Sequence, residues 1–153
     1  MKTRNIALTI VACFVGLTMC FASPIMGTWK LNEAKSKFSP GAPKNHTVVY
    51  EAVGDNIKVT VDGVDAEGKP THNEWTGKFD GKDYPLTGDA ASDSRSYKKI
   101  NGNTMELTNK KGGKTTVTAR IVVSADGKTR TVTIKATDAM GKKVEETAVY
   151  DKQ

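Results

Sequence analysis

Hydrophobic and polar residues alternate along most of the chain beyond Asn45. In one such stretch Ile57, Val59 and Val61 fall on one side of an extended chain, and the polar residues between them fall on the other. No stretch carries an apolar stripe at helical spacing long enough to support a helix. The pattern therefore predicts an all-β domain in which each strand has one apolar face and one polar face.

Ten strands are predicted from this alternation. They cover residues 25–31, 47–53, 56–62, 72–79, 83–87, 94–100, 104–109, 115–124, 130–136 and 144–151. Several are separated by residue pairs that tolerate positive φ, as tight antiparallel hairpins require: Gly54-Asp55, Asp80-Gly81, Asn101-Gly102, Gly112-Gly113 and Asp126-Gly127. The one long irregular segment, from Asn32 to Lys44, contains prolines and is expected to be a loop and a candidate lid.

A single open sheet of these strands would leave its apolar face in water. Successive strands joined by hairpins form a meander, and closing a meander into a barrel buries the apolar face and removes both sheet edges. Aromatic residues make up only 7% of the chain, so the aromatic girdles of a membrane barrel are not expected. The sequence predicts an antiparallel up-and-down β-barrel of about 8–10 strands with its apolar face inside.

The N-terminus differs from the rest of the chain. Lys2 and Arg4 are followed by an almost unbroken apolar run from Ile6 to Ala22. A basic start, a short apolar run and small residues at its end are typical of a secretory signal peptide. We therefore predict a signal peptide over residues 1–22, a single folded domain over 23–153 and a secreted or periplasmic protein.

Removal of residues 1–22 changes the composition of the part that folds. It takes away Lys2 and Arg4, so the formal charge of +6 for the full chain falls by two. It also takes away Cys13 and Cys20, which leaves a domain without a disulfide and without a stable membrane span. The remaining lysines are spread through turns, which indicates solubility and not a nucleic-acid surface. Lipoprotein processing at Cys13 and an uncleaved anchor are the alternatives to cleavage after Ala22.

Both ends of the predicted domain carry short motifs of a known kind. Gly27-Thr28-Trp29-Lys30-Leu31 resembles the Gly-x-Trp opening of the calycins, the group of the lipocalins and the fatty-acid-binding proteins. Val149-Tyr150-Asp151-Lys152 resembles the ending of fatty-acid-binding proteins, whose last strand returns beside the first. The stretch from Gly27 to Phe38 and the turn from Asp65 to Pro70 also resemble secreted bacterial proteins described as lipocalin-like. The resemblance implies a calycin-type barrel with an internal cavity for a small ligand.

The chain departs from these families at three places. Fatty-acid-binding proteins hold a ligand carboxylate with Arg-x-Tyr on the last strand, where this chain has Ala148 in place of the arginine. They also carry two helices between the first two strands, where this chain has the segment from Asn32 to Lys44. Lipocalins pack a late arginine on the Gly-x-Trp tryptophan, and no arginine follows Arg130 here. The resemblance therefore identifies no ligand.

Aromatic and cationic side chains on the strands are the candidate ligand contacts. Trp75 and Phe79 alternate with Gly77 on one strand face, where glycine leaves room for a ligand or a crossing side chain. Trp29 is expected to plug one end of the barrel as core, with a position on a cavity floor as the alternative. The predicted ligand-binding residues are Tyr50, Trp75, Phe79, Arg95, Tyr97 and Arg130.

The sequence pattern predicts different orientations for the three arginines of the strands. An ungapped internal repeat at an offset of 73 residues places Arg130 where the first copy has Ile57, which points Arg130 inward near a strand end. A cation there either binds an anionic head group or extends to the rim. Arg95 precedes Tyr97 on a strand whose inward phase the pattern leaves open. Arg120 falls on the polar face and is expected in solvent.

Catalytic and metal-binding motifs have little support. No serine lies in a Gly-x-Ser-x-Gly elbow, and neither His46 nor His72 has a second histidine or cysteine at ligand spacing. No enzyme activity, metal or cofactor is predicted. The main hypothesis is binding of a small hydrophobic or amphipathic molecule, with no nucleic-acid partner. The alternatives are a non-catalytic envelope interaction module with a filled barrel, and acid–base chemistry in the cavity by His72 and Glu74.

Overall fold

The computed structural model describes residues 23–137 and 140–153. The predicted signal peptide, residues 1–22, lies outside the described residues. Within the described part of the chain, no helix is long and apolar enough to cross a membrane.

Ten antiparallel strands form one closed barrel in which β1 pairs with both β2 and β10. The strands are β1 (Gly27–Leu31), β2 (Lys44–Val53), β3 (Asn56–Val64), β4 (Pro70–Gly77), β5 (Tyr84–Thr87), β6 (Ser94–Lys99), β7 (Thr104–Lys111), β8 (Lys114–Val123), β9 (Thr129–Thr137) and β10 (Lys143–Lys152). Every other pairing joins strands that are consecutive in sequence. The predicted all-β, up-and-down barrel is confirmed, and its architecture is compatible with the calycin-type fold.

The antiparallel order gives the barrel two distinct ends. The Ile25 end carries residues 23–26, the C-terminus and the turns that follow β2, β4, β6 and β8. The Phe38 end carries the segment 32–43 and the connections that follow β3, β5, β7 and β9. Inward-facing residues that are paired in the register of neighbouring strands therefore lie beside each other in the barrel interior.

The N-terminal segment closes the Ile25 end. Ile25 and Trp29 are fully buried, and the Trp29 Nε1–H donates a hydrogen bond to the Ile25 carbonyl over 2.7 Å. Only a cavity of about 10 Å³ remains between this segment and Met105 and Val123, the volume of one water molecule at most. Trp29 therefore plugs this end of the barrel as core, as the sequence predicted.

The segment 32–43 is more ordered than the predicted loop. It begins with a short 3₁₀ helix, Glu33–Lys35, capped by the Asn32 side chain. Lys37 then forms a β-bridge with Thr147 of β10. Because β1 has 5 residues and β10 has 10, this segment continues the β1 edge and supplies hydrogen-bond partners for Thr147 and Val149 of β10. Phe38 packs against the core from it.

One predicted hairpin turn differs in its backbone. Gly54, Gly112, Gly113 and Gly127 have positive φ, as hairpin turns between twisted strands favour. Gly102 does not, so the predicted positive-φ pair Asn101-Gly102 is wrong at that position. The Ile100 N–H instead donates to the Thr104 carbonyl, which closes a slightly wider turn.

Candidate functional site

The six predicted ligand-binding residues lie together inside the barrel. Tyr97 is the centre of the group, with its ring 4.8 Å from Trp75, 5.5 Å from Phe79 and 6.1 Å from Tyr50. These rings and that of Tyr84 form the aromatic cluster on β2 to β6 (Tyr50, Trp75, Phe79, Tyr84 and Tyr97). Arg130 and Arg95 adjoin the cluster on two sides.

The space beside Gly77 is occupied. A side-chain carbon added at this glycine would lie 2.5 Å from the Tyr84 ring and 2.7 Å from the Trp75 ring. Of the two uses predicted for this glycine, room for a ligand or room for a crossing side chain, the structure shows the second. The aromatic cluster therefore fills its part of the interior.

Arg130 lies inside the barrel with 2% of its surface exposed. Its Nη1–H donates to the Tyr50 hydroxyl over 2.9 Å. Its guanidinium carbon also lies 4.3 Å from the Tyr150 ring centre and 5.4 Å from that of Trp29. The inward prediction is confirmed, and the rim alternative is wrong. The chain thus has an arginine packed on the Gly-x-Trp tryptophan after all, and that arginine is Arg130 itself.

Arg95 also points inward. The sequence pattern left open which residues of β6 face the interior, and the structure shows that Arg95 is one of them. It is 5% exposed, and its Nε–H donates to the Asn109 Oδ1 over 2.8 Å. The Trp75 Nε1–H donates to the Arg95 carbonyl over 2.7 Å and so holds the backbone in place. Among the residues that the structure describes, the Arg95 guanidinium makes no other hydrogen bond and no ion pair. Arg120 lies on the outer face, 3.5 Å from Glu106, as expected.

The interior is cationic and poor in acids. Within residues 23–137 and 140–153, no carboxylate forms an ion pair with Arg95 or Arg130. Burial raises the pKa of the Tyr97 hydroxyl and the nearby Tyr50 hydroxyl raises it further, while Arg95 opposes both effects. Burial likewise raises the pKa of Tyr150 against the opposing effect of Arg130. Both tyrosines are therefore neutral and do not serve as counterions.

Strands β7 to β10 line the other side of the interior. Toward the Phe38 end, their inward side chains are aliphatic and not aromatic. Their register places five half-buried apolar residues on the inner face, and we call them the aliphatic wall: Leu107, Val117, Ile134, Ala136 and Val144. The next inward residues toward the Ile25 end, such as Met105 and Ile121, are fully buried. The five residues of the aliphatic wall therefore keep part of their surface accessible to solvent.

Glu146 is an acidic residue beside the aliphatic wall, since it pairs with Ile134 across β10 and β9. It lies between Val144 and Ala148 on the inward phase of β10, and its Oε1 accepts the Ser39 N–H over 3.2 Å. This contact joins the segment 32–43 to the barrel. The segment that was predicted as a lid thus touches the edge of the aliphatic wall.

A concavity of about 420 Å³ is lined by residues of β7 to β10, most of them on the outer face, together with Leu107 and Ala119. It is an open groove with the ion pairs Arg120–Glu106 and Lys135–Glu145 on its surface, each 3.5 Å long. Threonines lie between the charged residues. The groove is neutral overall, since its two basic and two acidic side chains balance.

The two histidines face away from the interior. His72 Nδ1 lies 2.6 Å from Asp62 and its Nε2 lies 3.5 Å from Glu74, all on the outer face of β3 and β4. The hydrogen bond to Asp62 raises the pKa of His72, and the hydrogen bond from Lys58 lowers that of Glu74. His46 is exposed near Glu33. His72 and Glu74 therefore lie outside the barrel interior.

Polar residues of the inner face went unnoticed in the sequence. Asn109 and Asn73 are buried, and the Asn73 Oδ1 has no hydrogen-bond partner in the described part of the chain. The signal for Asn109 was its inward phase, two positions beyond Leu107, which alternation alone would have shown. In the described ranges, no group of three or more His, Cys, Asp or Glu side chains is arranged to hold a metal ion.

In comparisons with known proteins, no family model and no curated protein sequence matches this chain. The likeness to calycins therefore rests on the terminal motifs and on the barrel architecture.

Proposed function

We propose that this is a non-catalytic, lipocalin-like protein that binds a small hydrophobic or amphipathic molecule inside its barrel. The observation that carries the proposal is the half-buried aliphatic wall opposite the aromatic cluster. Five inward apolar side chains that water still reaches are a surface that a ligand would cover. Each buried methylene of such a ligand contributes about 0.8 kcal/mol to binding.

The two ends of the barrel have different roles in this proposal. The Ile25 end is closed by Ile25 and Trp29 and holds the fold together. The Phe38 end admits the ligand, with the segment 32–43 beside the entrance. The aromatic cluster forms the floor against which the ligand packs, and Tyr97 is its central ring.

Native mass spectrometry of the folded domain against a panel of lipids and aromatic compounds tests the proposal. Displacement of the neutral fluorophore N-phenyl-1-naphthylamine measures affinity in solution. Ala136→Phe places a ring on the aliphatic wall, and we expect it to weaken binding at least about tenfold, since the ring takes the space of the ligand. Lys135→Phe, its outward neighbour on β9, is the matched control and should bind as the wild type does. Absence of binding by every compound would refute the proposal.

The alternative is an envelope interaction module with a filled barrel. It is favoured by the aromatic cluster, whose rings occupy the space beside Gly77. In that case the segment 32–43 or the lysine-rich turns would dock on another envelope component. A pull-down from periplasmic extract with and without the segment 32–43 distinguishes the two, because an interior binder loses no partner when that segment is shortened.

Secretion or periplasmic location is part of the proposal. It is supported by the basic and apolar sequence of residues 1–22. Mass analysis of the N-terminus of the exported protein tests it. A mature chain that begins at Ser23 would support cleavage after Ala22, and a lipid-modified Cys13 would support the alternative route.

A further inference from the structure

We infer that Asn101 and Gly102 form a self-modification site, at which the Asn101 side chain is converted into aspartate and isoaspartate through a cyclic succinimide. The two residues are the one Asn-Gly pair in the sequence, and they lie in the turn between β6 and β7 at the Ile25 end of the barrel. Both residues are exposed. The inference is independent of the proposed function, because the reaction needs no ligand in the interior.

The reaction uses only solvent and atoms of the turn. A solvent base removes the proton of the Gly102 N–H, the nitrogen forms a bond to the side-chain carbonyl carbon of Asn101, and the side-chain nitrogen takes a proton from solvent and leaves as ammonia. Water then opens the ring at either carbonyl, which gives aspartate or isoaspartate. The net reaction consumes one water and releases one ammonia, with no oxidation or reduction. Nucleophile and electrophile are neighbours in one chain, which favours their encounter.

The Gly102 nitrogen is free to attack. Glycine has no side chain beside this nitrogen, and nothing lies within 4 Å of a carbon added at Gly102. In the described ranges the Gly102 N–H donates no hydrogen bond. The N–H groups of Ile100 and Asn101 both donate to the Thr104 carbonyl instead, so the turn is held by the residues before Gly102.

The Asn101 side chain is activated by a hydrogen bond. The Asn103 N–H donates to the Asn101 Oδ1 over 3.1 Å. Negative charge develops on this oxygen as the nitrogen adds, and a backbone N–H that already points at it lowers the barrier. Asn103 is a positioning residue, because Val123 of β8 holds it: the Val123 N–H donates to the Asn103 carbonyl over 2.8 Å, and the Asn103 Nδ2 donates to the Val123 carbonyl over 3.1 Å.

A comparison with two other turns at the same end of the barrel supports this assignment. Asp80-Gly81 and Asp126-Gly127 could form the same ring in principle. The Gly81 N–H, however, donates to the Tyr97 carbonyl, and the Gly127 N–H donates to the Ser124 carbonyl, each over 2.9 Å. Their side chains are also carboxylates, which are poor electrophiles when ionised. The β6–β7 turn therefore combines a free nucleophile with a polarised amide.

Peptide mapping by mass spectrometry of the folded domain, stored in heavy-oxygen water at mildly alkaline pH, tests the inference. We expect Asn101 to become a mixture of aspartate and isoaspartate that carries the heavy oxygen. Asn45, an exposed asparagine followed by His46, should stay intact in the same sample. The rate should rise with pH, since the Gly102 nitrogen must lose its proton before it attacks.

Three variants sharpen the test. Gly102→Ala should slow the reaction severalfold, because a methyl group then hinders the attacking nitrogen. Asn101→Gln should abolish the modification at this position while it keeps a side-chain amide. Asn45→Gln is the matched control and should leave the reaction at Asn101 unchanged. If Gly102→Ala fails to fold, Asn101→Gln and the comparison with Asn45 still decide the outcome.

A free peptide of residues 99–105 provides the reference for the reaction without the fold. Formation of isoaspartate in this peptide but not in the folded domain would overturn the inference, since the fold would then protect Asn101. Conversion to aspartate without isoaspartate would also overturn it, because direct hydrolysis would explain the product. Equal rates at Asn101 and Asn45 would show that the turn does not select its asparagine.

Discussion

The guanidinium of Arg130 lies 4.3 Å from the ring centre of Tyr150, which is its direct neighbour across β9 and β10. Tyr150 is also the register partner of Leu31 in β1, at the seam where the last strand meets the first. Arg130 thus joins the closing strand, the Gly-x-Trp tryptophan and Tyr50 of β2 at one point. We therefore predict that Arg130 stabilises the closure of the barrel.

Removal of Arg130 should therefore destabilise the fold. Arg130→Ala loses the cation–π contacts and the hydrogen bond to Tyr50 and leaves a cavity, so we expect a loss of about 2–4 kcal/mol in the free energy of unfolding. Urea denaturation followed by the fluorescence of Trp29 and Trp75 measures it. A change below the error of that measurement would show that Arg130 is not needed for closure.

Arg95 should behave in the opposite way. Arg95→Met replaces a buried charge that lies without a carboxylate partner in the described structure with an apolar side chain of similar length, and we expect the protein to be more stable by about 1 kcal/mol. The same urea experiment applies. A loss of stability comparable to that of Arg130→Ala would contradict this prediction and mean that Arg95 supports the fold.

Gly77 should not tolerate a side chain. Gly77→Ala would bring a methyl group to 2.5 Å from the Tyr84 ring, so rings of the aromatic cluster must shift, at an expected cost of about 1–3 kcal/mol. Gly102→Ala is the control, because nothing lies within 4 Å of its added carbon and its φ is not positive. Thermal unfolding of both variants should show a lower midpoint for Gly77→Ala alone.

His72 should titrate above its ordinary pKa of 6.5, because the hydrogen bond to Asp62 favours the protonated ring. A raised pKa in the folded state means that this pair stabilises the fold fully below the unfolded pKa, and that the contribution is lost as the pH rises through the folded pKa. Proton NMR of the His72 ring measures the shift. Asp62→Asn should bring the pKa down, and an unchanged titration curve would contradict the assigned cause.

Strand positions were predictable because alternation of apolar and polar residues reports directly on a half-buried strand. The β3 stretch with Ile57, Val59 and Val61 is the clearest case, and the structure has it within two residues of the predicted bounds. β6 was harder to interpret, because it carries polar or charged residues on both faces. Pairing of Tyr97 with Leu107 placed Arg95 inside.

Contacts between residues distant in sequence could not be predicted from the alternation of apolar and polar residues. The bridge between Lys37 and Thr147 joins residues that are far apart in sequence, and it exists because β1 is too short to pair with all of β10. The position of Arg130 on Trp29 depends in the same way on barrel closure. Neither contact leaves a periodic signal in its own segment.

The sequence by itself determined the strands, their apolar faces and the need for closure, because burial of one face of each strand is a local property of alternating side chains. The tertiary structure decided which buried groups meet. Arg130 lies against three rings and a hydroxyl, while the Arg95 Nε–H donates to Asn109. Two arginines of the same chemistry thus acquire different surroundings, because the partners of a buried charge are brought together only when the barrel closes.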